Sequence, residues 1–302
     1  ERFYKMRKLN FVKKAASLAL VSAFTASLIA CGPAGNLTQD LDQVSASAKR
    51  DGQTAASKKW TFIVWLAGDN NLYPFALKDM SEMAYGLKTD EVNVIVMFDG
   101  AKTGDSAIYD VKHSDVKPKM NAPITSPKVD DKGEIIPSSK EVNSGDPALF
   151  AKFMGWATKN YPADHVAVVQ WNHGSGIFRN GINAKPKNSQ KPVAGEVTTN
   201  GFAWDDHGTN MNLKDLNPAF SAAMLNTGKK IDVLDFDACL MAHVEAAYQV
   251  KDQVNFLVGS EMVEAGDGND YIGIMDIFNK NPNIDGRGFA KAMVESYAKS
   301  YL

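Results

Sequence analysis

The chain of 302 residues is 44% hydrophobic, 23% charged and 10% aromatic, an ordinary globular composition with enough apolar mass for one large α/β domain or two small ones. Its formal net charge is -2, but six basic side chains and one acidic one fall within residues 1–30, leaving 27 basic against 34 acidic, or -7, for the rest. A mildly acidic body argues against a nucleic-acid binder.

The first residues read as an address. After Met6 come a basic segment, an apolar run from Ala15 to Ala30, and then Cys31. A hydrophobic stretch of this length ending in small residues is a secretory signal, too short for a comfortable membrane span. Leu28–Ile29–Ala30–Cys31 resembles the bacterial lipobox, in which the cysteine is lipidated and becomes the mature N-terminus. Residues 1–31 are therefore expected to be a lipoprotein signal peptide that places the protein in the bacterial cell envelope, with a buried amphipathic helix or an ordinary cleaved signal as competing readings. Residues 32–58 are rich in Ser, Ala, Gln, Asp and Gly, cannot bury enough surface to fold, and read as a flexible tether. That leaves 59–302 as the folded domain.

Trp60 to Gly68 is a continuous apolar run of strand length, as a central parallel strand covered on both faces requires. Asp69, Asn70 and Asn71 follow as turn and cap residues ahead of a helix from Tyr73 to Gly86. Val92 to Phe98 is a second strand, Ala107 to Val111 an edge hairpin strand, and Lys112 to Asn143 a polar surface excursion. Asp146–Pro147 opens another helix, with proline where a missing N–H costs nothing. His165 to Trp171 is a strand that runs into Asn172–His173–Gly174–Ser175–Gly176. A polar loop from Ile177 to Val197 carries Arg179, Lys185, Lys187 and Lys191, and a helix from about Leu213 to Leu225 comes next. Ile231 to Phe236 is a buried strand ending at Asp237–Ala238–Cys239, and Leu240 to Val250 is expected to be helical directly after it, with Val244 and Tyr248 at core spacing. Val254 to Val258 is a strand, Glu264 to Tyr271 a loop, and Gly288 to Leu302 a helix that runs to the chain's end, which suggests a C-terminal truncation. Alternating buried strands and amphipathic helices predict a mostly parallel, doubly wound α/β sheet.

In such a sheet, ligands and chemistry collect at the carboxyl ends of the strands. Cys239 and His173 both stand at such ends. A lone cysteine is usually a small apolar filler, but a nearby imidazole turns it into a nucleophile by taking its proton or by holding the thiolate as an ion pair. A Gly-Ser-Gly run after His173 lets the backbone approach a substrate. Ser175 makes a poorer nucleophile, because the G-x-S-x-G elbow needs glycine where His173 stands.

Taken in order, the blocks Trp60–Asn71, Tyr161–Gly176, Asp235–Tyr248 and Gly259–Tyr271 resemble the clostripain family of cysteine peptidases, relatives of caspases and gingipains. The resemblance implies a caspase-like α/β/α sandwich, with a mostly parallel central sheet flanked by helices. It also implies a Cys–His dyad and cleavage of protein or peptide substrates after Arg or Lys. Carried onto this sequence, Cys239 is the nucleophile and His173 its base or ion-pair partner, 66 residues earlier. The backbone N–H groups of Gly174 and Cys239 are candidates for the oxyanion, and Asp237 and Asp267 for the pocket that takes the basic side chain, against a turn or cap role for each. Asp235 is read as satisfying groups at its strand end, and His243 and His165 as bystanders. His207 with its neighbours lacks zinc-ligand spacing, so no metal or cofactor is assigned, although some relatives use calcium. Family members are often cut within a loop near the site, and the 179–191 loop offers basic residues for self-cleavage. The alternative is a catalytically silent caspase-fold surface lipoprotein acting as a binding module.

Overall fold

The computed structural model describes residues 57–130, 132–136, 141–176 and 201–302. The signal and lipobox at Cys31, residues 32–56 of the tether and the 179–191 loop lie outside the described residues, and Lys58, counted with the tether, instead opens the first strand.

Seven strands form one sheet in the order β4-β3-β2-β1-β5-β6-β7. They are β1 (Lys58–Ala67), β2 (Val92–Asp99), β3 (Ala107–Asp110), β4 (Lys128–Val129), β5 (Ala163–Trp171), β6 (Ile231–Asp237) and β7 (Val254–Val258). The five from β2 to β7 in that order pair in parallel, and β3 and β4 add an antiparallel edge. Because side chains alternate across a strand, β1 feeds two cores. Ile63, Trp65 and Ala67 face one side and Phe62, Val64 and Leu66 the other, all wholly buried. The first side is covered by α2 (Pro147–Asn160) and α3 (Leu216–Thr227) through Phe150, Phe153 and Phe220. The second is covered by α1 (Tyr73–Gly86), α5 (Tyr271–Lys280) and α6 (Gly286–Ser300) through Met80, Phe278 and Phe289. Burying a ring of this size contributes roughly 2 to 3 kcal/mol, so the two apolar layers fix the sheet between them. This is the α/β/α sandwich expected from the sequence.

The short helix α4 (Val244–Val250) departs from expectation. It does not begin at Leu240, because Leu240 adopts a left-handed conformation (φ 62°) and the chain turns sharply after the cysteine. Val244 and Tyr248, expected in the core, are 75% and 72% exposed. The segment read as a surface excursion also contributes β4 and buries Ile135, Ile136 and Val142. α5 was not foreseen at all.

β1 is followed in the chain by β2 on one side and, later, by β5 on the other. Between the carboxyl ends of β1 and β5 the connections diverge, opening the crevice in which open α/β sheets bind ligands.

Candidate active site

The strand register sets the site. In the parallel β5–β6 pair Trp171 lies opposite Asp237, and the Asn172 N–H continues the ladder to the Asp237 carbonyl at 3.2 Å. His173 and Cys239 each stand two residues past that matched pair, so chain geometry alone delivers both to one level of the rim. Asn172 ties the histidine loop down. Its side-chain oxygen accepts the N–H of His173 (2.6 Å) and of Trp204 (3.0 Å), and its amide donates to the Ala67 carbonyl at the end of β1. Gly174 approaches the cysteine so closely that a Cβ would sit 2.2 Å from the Cys239 carbonyl oxygen. Only glycine fits there. Among the described residues, neither the Gly174 nor the Cys239 N–H donates to another backbone carbonyl.

His173, Cys239, Asp79, Asp237 and Glu264 line one cavity of about 240 Å³. The Cys239 Sγ accepts the Glu264 N–H at 3.3 Å. Burial, with the Glu264 carboxylate beside it, pushes the thiol above its ordinary value. Burial pushes the His173 imidazole the other way, against a smaller opposing pull from Asp206. Both shifts favour a neutral thiol and a neutral imidazole over a thiolate–imidazolium pair. The His173 Nε2 meets the Asn71 side-chain oxygen at 2.9 Å.

The cavity wall is acidic. Asp237 is buried at the end of β6, where its oxygens accept the Asn269 N–H (3.1 Å) and the Tyr271 hydroxyl (2.8 Å); burial holds it at about 6. Asp235 accepts the Asn269 side-chain amide at 2.7 Å, a side-chain partner rather than a backbone one. Glu264 is pushed up to about 9 by burial and by the carboxylates of Asp237 and Asp235. Asp267 is not among the cavity's lining residues. It faces outward, 65% exposed, with the Lys78 ammonium at 3.3 Å, and that ammonium also holds Glu82 at 2.8 Å.

The sequence reading missed three residues of the site: Asn71, Asp79 and Glu264. Asn71 and Glu264 lay inside stretches read as turn and loop, and Asp79 was not singled out on its helix. Only the sheet order, which brings the ends of β1, β5 and β6 together, joins them.

The remaining candidates are engaged elsewhere. Ser175 is 1% exposed and exchanges hydrogen bonds with the backbone of Gly201. His165 pairs with Asp232 at 3.0 Å and stacks on Trp60. His243 occupies the cap position of α4. Asp69, Glu141 and His207 present ligand atoms within 4.8 Å of one another. Calcium takes about six to eight oxygen ligands; here one of three donors is an imidazole nitrogen already hydrogen-bonded to Asp69. The trio fits that ion poorly, and no chemical step is routed through it.

A mostly parallel sheet with a cysteine and a histidine at neighbouring carboxyl ends, above an acidic cavity, defines a caspase-like α/β protein with the parts of a thiol hydrolase. The sequence model of the clostripain family matches residues 64–302, and the chain belongs to that family. It is 27% identical to clostripain of Hathewaya histolytica over 297 residues, 87% of this chain and 51% of that protein. A secreted cysteine protease of the family from Bacteroides thetaiotaomicron, solved with an irreversible peptide inhibitor, superimposes with a TM-score of 0.59 at 25% identity, over 81% of this chain and 59% of its own. An inactive zymogen from Parabacteroides distasonis gives 0.57 at 18% identity, over 82% and 59%. The chain thus spans about half the length of the curated relative it matches. Among the described residues no helix is long and apolar enough to cross a membrane.

Proposed function

We propose that this chain is a cysteine endopeptidase that cleaves protein or peptide substrates after Arg or Lys, exported and held at the cell envelope by a lipid on Cys31. One observation carries the reading: Cys239 and His173, from the ends of adjacent strands, line the same acidic cavity.

The chemistry follows from that arrangement. His173 takes the thiol proton as Sγ attacks the scissile carbonyl carbon. The oxygen, now negative, is met by the N–H groups of Gly174 and Cys239, contacts worth roughly 3 kcal/mol each. Collapse breaks the C–N bond, His173 gives its proton to the leaving amine, and a thioester remains. Water then loses a proton to His173 as it attacks, releasing the acid and restoring the thiol. A guanidinium or ammonium of the substrate enters beside Asp237, whose carboxylate attracts it more strongly in a site shielded from water, offsetting the cost of desolvating the cation. The dyad itself calls for no metal. Basic residues of the 179–191 loop are the proposed sites of self-cleavage.

The test compares hydrolysis of Arg, Lys and Asp fluorogenic peptides by wild type and Cys239→Ala. Turnover of the Arg and Lys peptides that disappears with the thiol is expected; indifference to the substitution sinks the proposal. A thiol that alkylates normally in a protein that cleaves none of them indicates the silent binding module instead. Intact mass before and after incubation decides self-cleavage, since an unchanged mass in active protein refutes it.

A further inference from the structure

Three side chains from distant parts of the chain converge at the end of β1, and none of them lines the catalytic cavity. Asp69 follows β1 and is 1% exposed, Glu141 precedes α2, and His207 belongs to the 201–212 segment. Their ligand atoms lie within 4.8 Å of one another. The His207 Nδ1 meets Asp69 Oδ2 at 2.5 Å, and the His207 backbone N–H donates to Asp205 Oδ1 at 2.8 Å. One Glu141 oxygen accepts the Gly104 N–H at 2.7 Å, while the other, Oε1, is buried with no hydrogen-bond partner.

Among the described residues, no ammonium or guanidinium pairs with Asp69, Glu141 or Asp205. A carboxylate oxygen stripped of water and left unbonded costs free energy, which a bound cation would recover. The donor set decides which cation. Zinc and its neighbours accept imidazole nitrogen and carboxylate oxygen together, and three protein ligands leave a fourth position to water. The His207 side chain is 57% exposed, which leaves room for that water. Calcium, which takes oxygen ligands, would gain nothing from the imidazole.

We propose that Asp69, Glu141 and His207 form a binding site for a divalent transition metal of the zinc class, and that the ion clamps the 201–212 segment to the end of the sheet. The clamp bears on the dyad's support. Three residues before His207, the Trp204 N–H donates to Asn172 Oδ1, and the Trp204 carbonyl accepts the side-chain amides of Asn70 and Asn172, each at 3.0 Å. Asn172 ties down the histidine loop, and the Trp204 ring lies 6.4 Å from that of His173. Fixing His207 therefore steadies the contacts that hold His173. The site stands apart from the endopeptidase reading and does not depend on it. Asp69 and His207 are 138 residues apart, so no local ligand spacing announces them.

The test uses the full chain, freed of metal and carrying Cys31→Ser and Cys239→Ala, because a thiolate would itself bind zinc. Equilibrium dialysis should find one Zn²⁺ held per chain at this site. At a hundredfold excess of Zn²⁺ over its Kd, the melting temperature should rise by about 5 °C or more. Glu141→Gln keeps an acceptor for the Gly104 N–H, and His207→Ala removes a largely exposed ring, so both should fold without metal. Each should weaken zinc binding at least about tenfold, whereas His113→Ala, outside the cluster, should leave it unchanged. Hydrogen exchange at the amides of Trp204, Asp206 and His207 should slow when zinc binds. Zinc affinity that survives both Glu141→Gln and His207→Ala overturns the proposal. So does calcium binding there more tightly than zinc, and so does zinc that binds without slowing exchange in the 201–212 segment.

Discussion

The Nε2 atom of His173 lies 2.9 Å from the side-chain oxygen of Asn71, a residue 102 positions earlier that leaves the sheet at the end of β1. With the amide oxygen facing the ring, the hydrogen sits on Nε2 and Nδ1 keeps the lone pair that the proposed dyad needs to take a proton from the thiol. Asn71 is in this sense a positioning residue: it selects the tautomer and holds the ring. Replacing Asn71 by Ala should lower kcat roughly tenfold or more with little change in KM, because orientation of the base is lost and binding contacts are not. Asn71→Asp, which keeps the acceptor and adds charge, should restore much of the rate and move the acidic limb of the pH profile upward. Equal losses in both variants would show that Asn71 merely supports the loop.

Gly174 carries the next prediction. A methyl group at this position meets the Cys239 carbonyl oxygen at 2.2 Å and the Met241 side chain at 2.7 Å, so the histidine loop must move off the cysteine turn. Gly174→Ala should cost about 1 to 3 kcal/mol of stability and about a hundredfold in kcat/KM through misplacement of the dyad. Chemical denaturation and steady-state kinetics on the same preparation read both; full activity in a stable variant would disprove the close packing.

How the thiol titrates gives a third. Its pKa is raised by burial and by Glu264, so thiolate is scarce near neutrality and alkylation by a small neutral reagent should climb through the alkaline range rather than plateau below pH 7. Glu264 is itself held at about 9, hence uncharged at neutral pH. Its repulsion switches on only as it ionises. Glu264→Gln should therefore leave the neutral-pH rate nearly unchanged and bring the alkaline midpoint down. A plateau already complete at pH 6 would instead establish a thiolate–imidazolium pair.

The strands were legible because β1, β2, β5 and β6 are continuous apolar runs, and a run buried on both faces has few other homes. Placing Cys239 and His173 at strand ends followed from the same pattern. The position of α4 was not legible, because the apolar residues after Cys239 fit a helical period equally well, whereas the chain spends Leu240 on a left-handed turn. Tyr248 then faces solvent on a seven-residue helix instead of packing. Asp79 and Asn71 were invisible for a different reason. Their partners, Trp171 and His173, are 92 and 102 residues away, and no local periodicity encodes which polar residue of a helix or turn will meet a distant loop.

Asp99 tests the electrostatics of the whole rim. It ends β2 with no exposed surface; Oδ1 accepts the Ser106 hydroxyl at 2.6 Å, and Oδ2 is buried without a partner. Burial raises its pKa from 3.8 to about 8. In the folded protein it therefore keeps a proton that the unfolded chain releases near pH 4. Between those two values the native state binds more protons than the unfolded state, so stability must fall as pH rises through the window, by an amount on the order of a few kcal/mol. Asp237, raised to about 6, adds to the slope in the lower half of the window. Wild type should accordingly melt at a higher temperature at pH 5 than at pH 8. Asp99→Asn, which mimics the protonated acid and keeps an acceptor for Ser106, should match wild type near pH 5 and exceed it at pH 8. Thermal unfolding at both pH values decides the matter: a variant destabilised equally at each would mean that Asp99 is ionised in the fold and balanced by a positive charge.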